Sequence, residues 1–138
     1  RPPIARVLCY ELTEVSDGAV TFAGTPQFDH TNPMGGLHGG WYGAVLDSCM
    51  ACAVMTKVPK GSIYTTLEYK VNITRSITIG QSVIARGWVQ HAGRSTGVAA
   101  GEIHGAEDGK LYATGSTTCI IMQAHAAPGP EVRNAGVN

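Results

Sequence analysis

Charge is scarce in this chain and evenly split. Ten Lys and Arg face ten Asp and Glu across 138 residues, a formal net charge of zero, which argues against a basic nucleic-acid surface and against an acidic, solvating tail. An anionic ligand would have to be held by a few local cations. The chain also lacks a run of the roughly twenty apolar residues that a bilayer span needs. Its nearest approach, GWYGAVLDSCMACAVM from Gly40 to Met55, carries Asp47 at its middle, where a membrane would charge roughly 2.5 kcal/mol or more for it. The first residues, RPPIARVLCY, have no apolar core of a secretory signal. The expectation is a soluble, cytoplasmic protein with neither a membrane nor a nucleic acid as partner. The length suits one sheet-and-helix core and is short for two. Residues 1–138 are therefore expected to form one domain, with 1–5 and 124–138 flexible at its ends.

Cysteine is sparse too, and its spacing rules out more than it suggests. Cys49 and Cys52 form a CxxC, but redox pairs of this kind draw a low thiol pKa from a helix N-terminus, and this pair lies well inside the apolar run. A zinc site would want a second Cys/His pair, and His30 and His38 are unsuitably spaced for one. Reduced thiols filling a core are the better reading, and no metal is expected.

The apolar run reads as a helix, being longer than an ordinary strand, free of proline and rich in Ala, Leu and Met. Its apolar residues surround the axis instead of forming a stripe, which is the pattern of a helix enclosed by protein. Asp47 is the only charged residue between His38 and Lys57. A buried carboxylate must protonate, pair, or face a polar cavity, so Asp47 is a site candidate, with pairing to a neighbouring Arg or Lys as the plainer alternative.

The remaining pattern is β. Residues Arg6 to Gly24 suggest a hairpin turning at Ser16-Asp17-Gly18. Thr66 to Thr74 alternates, with Leu67, Tyr69, Val71 and Ile73 on one face, as a half-buried strand does. Three further strands, Gln81–Gln90, Ser95–His104 and Leu111–Met122, are joined by connectors short enough for hairpins. Small residues inside them, among them Gly87, Gly97, Gly101 and Gly115, weaken a strand unless something approaches its surface closely, and the helix is the obvious candidate. A hairpin, one long central helix and a four-stranded meander make an α+β arrangement, a curved antiparallel sheet wrapped around the helix. A helix apolar on all sides would want cover beyond one sheet face, which predicts a dimer.

The motifs Asn32, Gly36-Leu37-His38-Gly39-Gly40, Asp47, Thr65-Thr66-Leu67-Glu68, Ile73-Thr74-Arg75 leading to Gly80, His91-Ala92-Gly93-Arg94 and Asp108-Gly109-Lys110 together resemble the hotdog-fold acyl-CoA thioesterases of the phenylacetate-degradation type. One departure is Ser76, where that family often has proline. The resemblance implies hydrolysis of acyl-CoA in composite sites of a homodimer or a dimer-of-dimers tetramer, with no cofactor beyond the CoA of the substrate. Gly39 would give the oxyanion amide, assisted by Asn32, and Thr65 or Thr66 would orient the attacking water. Gly40, Thr66, Arg75, Arg94 and Ser95 are expected to bind substrate, the two arginines by arginine's fit to phosphate.

Chemistry supports that assignment independently. Thioester hydrolysis needs a polarised carbonyl and a carboxylate that attacks it or activates water. Helix N-terminal amides suit a developing oxyanion, and glycine lets a substrate approach the backbone. Gly39 and Asp47 would stand about 12 Å apart along one helix, so two chains related by a two-fold axis are needed to bring one of each together. His38 is read as capping the helix in preference to serving as a base, since no separate nucleophile is evident for it. Ser48 points some 100° away from Asp47, on the order of one helical step. Trp41 and Tyr42 could line an aromatic-accepting pocket, although plain core is the commoner fate of aromatics at a helix start. A non-catalytic acyl-CoA sensor on the same fold is one alternative. A hydratase is another, but Asp29 and His30 are adjacent where that chemistry resembles a spaced pair.

Overall fold

The computed structural model describes residues 1–123, so the tail expected to be loose from Ala124 onward lies outside the described residues. A short helix α1 (Pro3–Val7) leads into β1 (Tyr10–Ser16) and β2 (Ala19–Gly24), a 3-10 turn (Phe28–His30), the long helix α2 (Gly39–Met55), and β3 (Ser62–Ile73), β4 (Val83–Ala92), β5 (Thr96–Gly105) and β6 (Leu111–Gln123). All six strands form one antiparallel sheet in the order β1-β2-β4-β5-β6-β3. The sheet curls around α2. No helix among the described residues is long and apolar enough to cross a membrane.

Two expectations about the order and extent of the elements change. The hairpin starts at Tyr10, because Pro3 stands at the first helical position with its φ already suited to a helix, and Arg6 and Val7 belong to α1. Ala5 is buried there. The four-stranded meander is interrupted as well: only β4, β5 and β6 follow one another, while β3 lies outside β6 and β4 pairs with β2. A chain leaving β3 at Ile73 must therefore cross the sheet end before β4, and residues 74–82 do so, their start tied to β6 by Thr74 N–H and Arg75 N–H donating to the Tyr112 carbonyl at 2.9 and 3.2 Å.

The small strand residues are where the helix presses. A Cβ added to Gly87 would come within 2.7 Å of the Cys49 carbonyl oxygen, and one on Gly97 within 2.6 Å of a Val54 methyl. Glycine is thus a steric requirement of the helix–sheet contact. Between Trp41 and Val54 only Ala44 and Asp47 escape full burial, so the chain's own sheet encloses more of α2 than expected. The open strip that remains runs along Gly40, Ala44 and Asp47, neighbours at helical spacing, with β3 beside it.

Strand β3 is an edge, and its alternation breaks. The register shifts between Thr66 and Glu68, a bulge that makes Leu67 the surplus residue. Before the bulge Tyr64 is buried and Thr66 reaches the helix; after it Tyr69 packs on Gly43 and Ile73 on Gly39. The expected single apolar face therefore divides in two. Leu67, Tyr69 and Ile73 remain 59%, 46% and 50% exposed, so the apolar surface left open lies at this edge more than on the helix.

Candidate active site

The loop before α2 is shaped by Asn32. Its Oδ1 accepts from Met34 N–H at 2.9 Å and Gly36 N–H at 3.1 Å, the kind of local bond by which Asn fixes a turn, and buried Leu37 anchors the loop's end. His38 then caps the helix. Its Nδ1 accepts from Gly40 N–H at 2.8 Å, and its carbonyl accepts from Trp41 N–H at 3.0 Å. Of the amides that a helix start leaves over, those two are taken, whereas Gly39 N–H has no acceptor among the described residues. Among the described residues a Cβ on Gly39 would meet only the Ile73 side chain, at 3.7 Å, so packing against them does not require glycine there. One on Gly40 would strike the His38 ring at 2.9 Å.

Asp47 lies half-buried on the open strip. Burial raises its carboxyl above the usual carboxylate range, and a bond from Thr66 pulls it partly back. That bond runs from Thr66 Oγ1 to Asp47 Oδ1 at 2.8 Å. No Lys, Arg or His among the described residues pairs with the carboxylate, so among those residues the ion-pair alternative has no partner to offer. Thr65, expected in the same role, is turned to the opposite face by strand alternation. The bulge sets which threonine serves.

The structure separates the other candidates. Ser48 is buried with its Oγ 2.8 Å from the Tyr10 hydroxyl, on the sheet side of the helix. Trp41 and Tyr42 are core, each 2% exposed: the Trp41 indole donates to the Leu8 carbonyl and the Tyr42 hydroxyl accepts from Ile77 N–H. Tyr69 is instead the aromatic beside the open strip. Arg94 and Ser95 sit in the exposed β4–β5 turn, where the Ser95 carbonyl accepts from Ile121 N–H. Arg75 sits beside Tyr112. Tyr112 and Ile121 mark opposite ends of β6, about 30 Å apart at roughly 3.4 Å per residue, so one chain does not bring the two arginines together.

His30 is fully used by structure. The Gln27 N–H can only donate and the Val7 carbonyl can only accept, so Nδ1 is the acceptor and Nε2 carries the proton, at 2.9 and 2.8 Å. With both ring nitrogens committed to backbone, His30 is a poor base for hydration chemistry. Cys49 and Cys52 are buried thiols; burial raises both, Cys52 to about 11. Neither has the character of a redox nucleophile. Sequence reasoning missed Tyr112, whose ring lies under Arg75; no local motif marks that contact, which only the β3–β6 register creates.

What this arrangement offers is a spare helix-start amide and a desolvated carboxylate, both on one open strip but about 12 Å apart along the axis at roughly 1.5 Å per residue. A model of the thioesterase superfamily matches residues 34–112, a span that holds Gly39, Asp47, Thr66 and Arg75. No curated protein matches. Among solved structures, a thioesterase family protein from Silicibacter pomeroyi is 25% identical, with 89% of this chain and 91% of that one covered and a TM-score of 0.81. Zebra fish thioesterase superfamily member 2 is 26% identical over 87% of each chain, with a TM-score of 0.77. A mutant of the phenylacetic acid degradation protein PaaI from Thermus thermophilus is 27% identical, covering 86% of this chain and 98% of its own, with a TM-score of 0.78.

Proposed function

The chain belongs to the thioesterase superfamily, and from that membership we propose that it hydrolyses acyl-CoA thioesters in the cytoplasm, at sites shared between the two chains of a dimer. The observation that carries this is the pairing, on one open strip, of a Gly39 amide that has no acceptor among the described residues with a half-buried Asp47 that has no cationic partner among them. In the proposed dimer the exposed β3 edges and the strips meet, and Gly39 of one protomer faces Asp47 of its partner. The thioester carbonyl oxygen takes the Gly39 N–H, where the positive end of α2 favours the developing oxyanion. Asp47 either attacks the carbonyl carbon, expelling CoA thiolate and leaving an acyl-aspartyl anhydride that water hydrolyses to the free acid and the regenerated carboxylate, or withdraws a proton from a water that attacks the carbon, the C–S bond breaking and the departing CoA thiolate taking up the proton. The Thr66 hydroxyl holds one carboxylate oxygen and leaves the other for the reaction. His38 and Asn32 act on the site through the backbone, by occupying the Gly40 amide and fixing the loop.

Mixing two inactive variants tests the shared site. Chains bearing Asp47→Asn and chains bearing Gly39→Val, unfolded together and refolded, should recover about a quarter of wild-type thiol release, because half the dimers are mixed and each mixed dimer rebuilds one of its two sites. No recovery, with mixed dimers demonstrated, would refute the composite site. Hydrolysis of no acyl-CoA by the wild type would refute the activity.

A further inference from the structure

Arg75 is exposed and is held against an aromatic ring. Its backbone N–H donates to the Tyr112 carbonyl at 3.2 Å, and its guanidinium lies 5.9 Å from the centroid of the Tyr112 ring. Among the described residues it forms no ion pair. The difference matters chemically. A carboxylate partner would consume the N–H fork of the guanidinium, whereas an aromatic face supports the cation and leaves its donors free for a planar, bidentate anion.

The ring itself is locked. Tyr112 is 5% exposed; its hydroxyl donates to Asp108 Oδ2 at 2.5 Å and accepts from Gln81 Nε2 at 2.8 Å. Each of those partners is fixed in turn, Asp108 Oδ1 accepting from Lys110 N–H and Gln81 Oε1 from Thr78 N–H, both at 3.0 Å. Gly105 makes room for the arrangement, since a Cβ there would overlap Asp108 Oδ1 and press on the Tyr112 ring. The network ties the segment that crosses from β3 to β4 onto the β5–β6 turn. It also lies at the end of the sheet where Ile73 meets Gly39, the oxyanion end of the helix.

We infer that Tyr112, anchored by Asp108 and Gln81, is a positioning residue that presents the Arg75 guanidinium to a phosphate group of CoA. This rests on the acyl-CoA reading above, which supplies a phosphate-bearing substrate. Tyr112 touches no reacting atom in this scheme. Its effect reaches the substrate only through Arg75, and only in the nucleotide part of the thioester.

The test compares one acyl group carried on CoA and on pantetheine, which lacks the phosphates. The measured quantity is the preference, the ratio of the two kcat/KM values. It should fall about tenfold in Arg75→Ala, as loss of a charge-assisted contact implies, and about three- to fivefold in Tyr112→Leu, in keeping with an exposed cation–π contact. Tyr112→Phe keeps the ring but frees it from both anchors, and a fall of about twofold is expected. Either effect should vanish when Arg75 is already alanine. Four results would overturn the inference: an unchanged preference in Arg75→Ala, an unchanged preference in Tyr112→Phe, equal loss on both esters in either Tyr112 variant, or a Tyr112 effect that persists without Arg75. Should Tyr112→Leu fail to fold, the Phe variant and its combination with Arg75→Ala decide the matter alone. A wild type that cleaves neither ester would instead bring down the acyl-CoA reading, a failure visible before any variant is made.

Discussion

Replacing Asp47 with Asn changes one atom of the side chain and removes its charge. The fold should tolerate this well: Asn and Asp have similar helix propensity, and the amide oxygen can still accept from Thr66 as Oδ1 does at 2.8 Å. Stability should even rise at neutral pH. Because burial raises the Asp47 carboxyl above its ordinary value, the protonated form is the one the fold favours. Its contribution is fully present below the unfolded-state pKa and is lost as pH climbs through the folded value. The Asn variant escapes that loss, so its advantage in denaturant midpoint should grow across that window and then level off. Activity should move the other way. Positioned general bases contribute about 10²- to 10⁴-fold, which is roughly 3 to 5 kcal/mol at 1.36 kcal/mol per decade, and a nucleophile should cost at least as much. Thiol release from acyl-CoA, followed beside urea unfolding of the same preparations, separates the two effects. Turnover within threefold of wild type in a stably folded variant would refute the catalytic reading. In the wild type, the acidic limb of the rate profile should fall at a pH above the ordinary carboxylate pKa, since activity needs the ionised form.

Thr66→Val should lower kcat about tenfold, roughly 1.5 kcal/mol for a lost hydrogen bond to a charged carboxylate, and move that acidic limb further up, while Thr65→Val should do neither; steady-state profiles of both variants check the assignment that the bulge makes. Gly39→Ala should fold at least as well as wild type in a melting experiment, because among the described residues the added methyl meets only Ile73, at 3.7 Å, yet should lose about tenfold or more in kcat/KM by crowding the amide that receives the carbonyl. In native protein, iodoacetamide followed by mass spectrometry should label Cys9 well before Cys49 or Cys52, since burial raises both core thiols; rapid labelling of either would contradict their core placement.

The helix was legible because its signal is one of composition and length, and the small residues in the strands announced where it would press. The order of the sheet was not. Sequence spacing favours β3 beside β4, but the crossing segment 74–82 carries the chain past the sheet end, and its hold on Tyr112 is a long-range contact with no local mark. Asp47 and Gly39 stood out as chemical anomalies, a lone acid and a glycine at a helix start. Thr66 was harder to single out, because alternation counted without the bulge at Leu67 cannot say which of two adjacent threonines faces inward. The short α1 has no local mark in the sequence either: what holds it includes bonds from His30 and Trp41 to the Val7 and Leu8 carbonyls, partners distant in sequence.

Leu67 gives β3 two reading frames. Upstream of it the strand's inward positions serve the carboxylate; downstream they serve the opening turns of the helix, through Tyr69 and Ile73. Removing that single residue would be a phase slip in space, rotating one half of the strand by a full side-chain alternation. Either the hydroxyl would swing away from Asp47 or the aromatic and aliphatic side chains would leave the glycine turns. A deletion at Leu67 should thus be as damaging as a substitution of the acid itself, although Leu67 contributes no chemistry of its own.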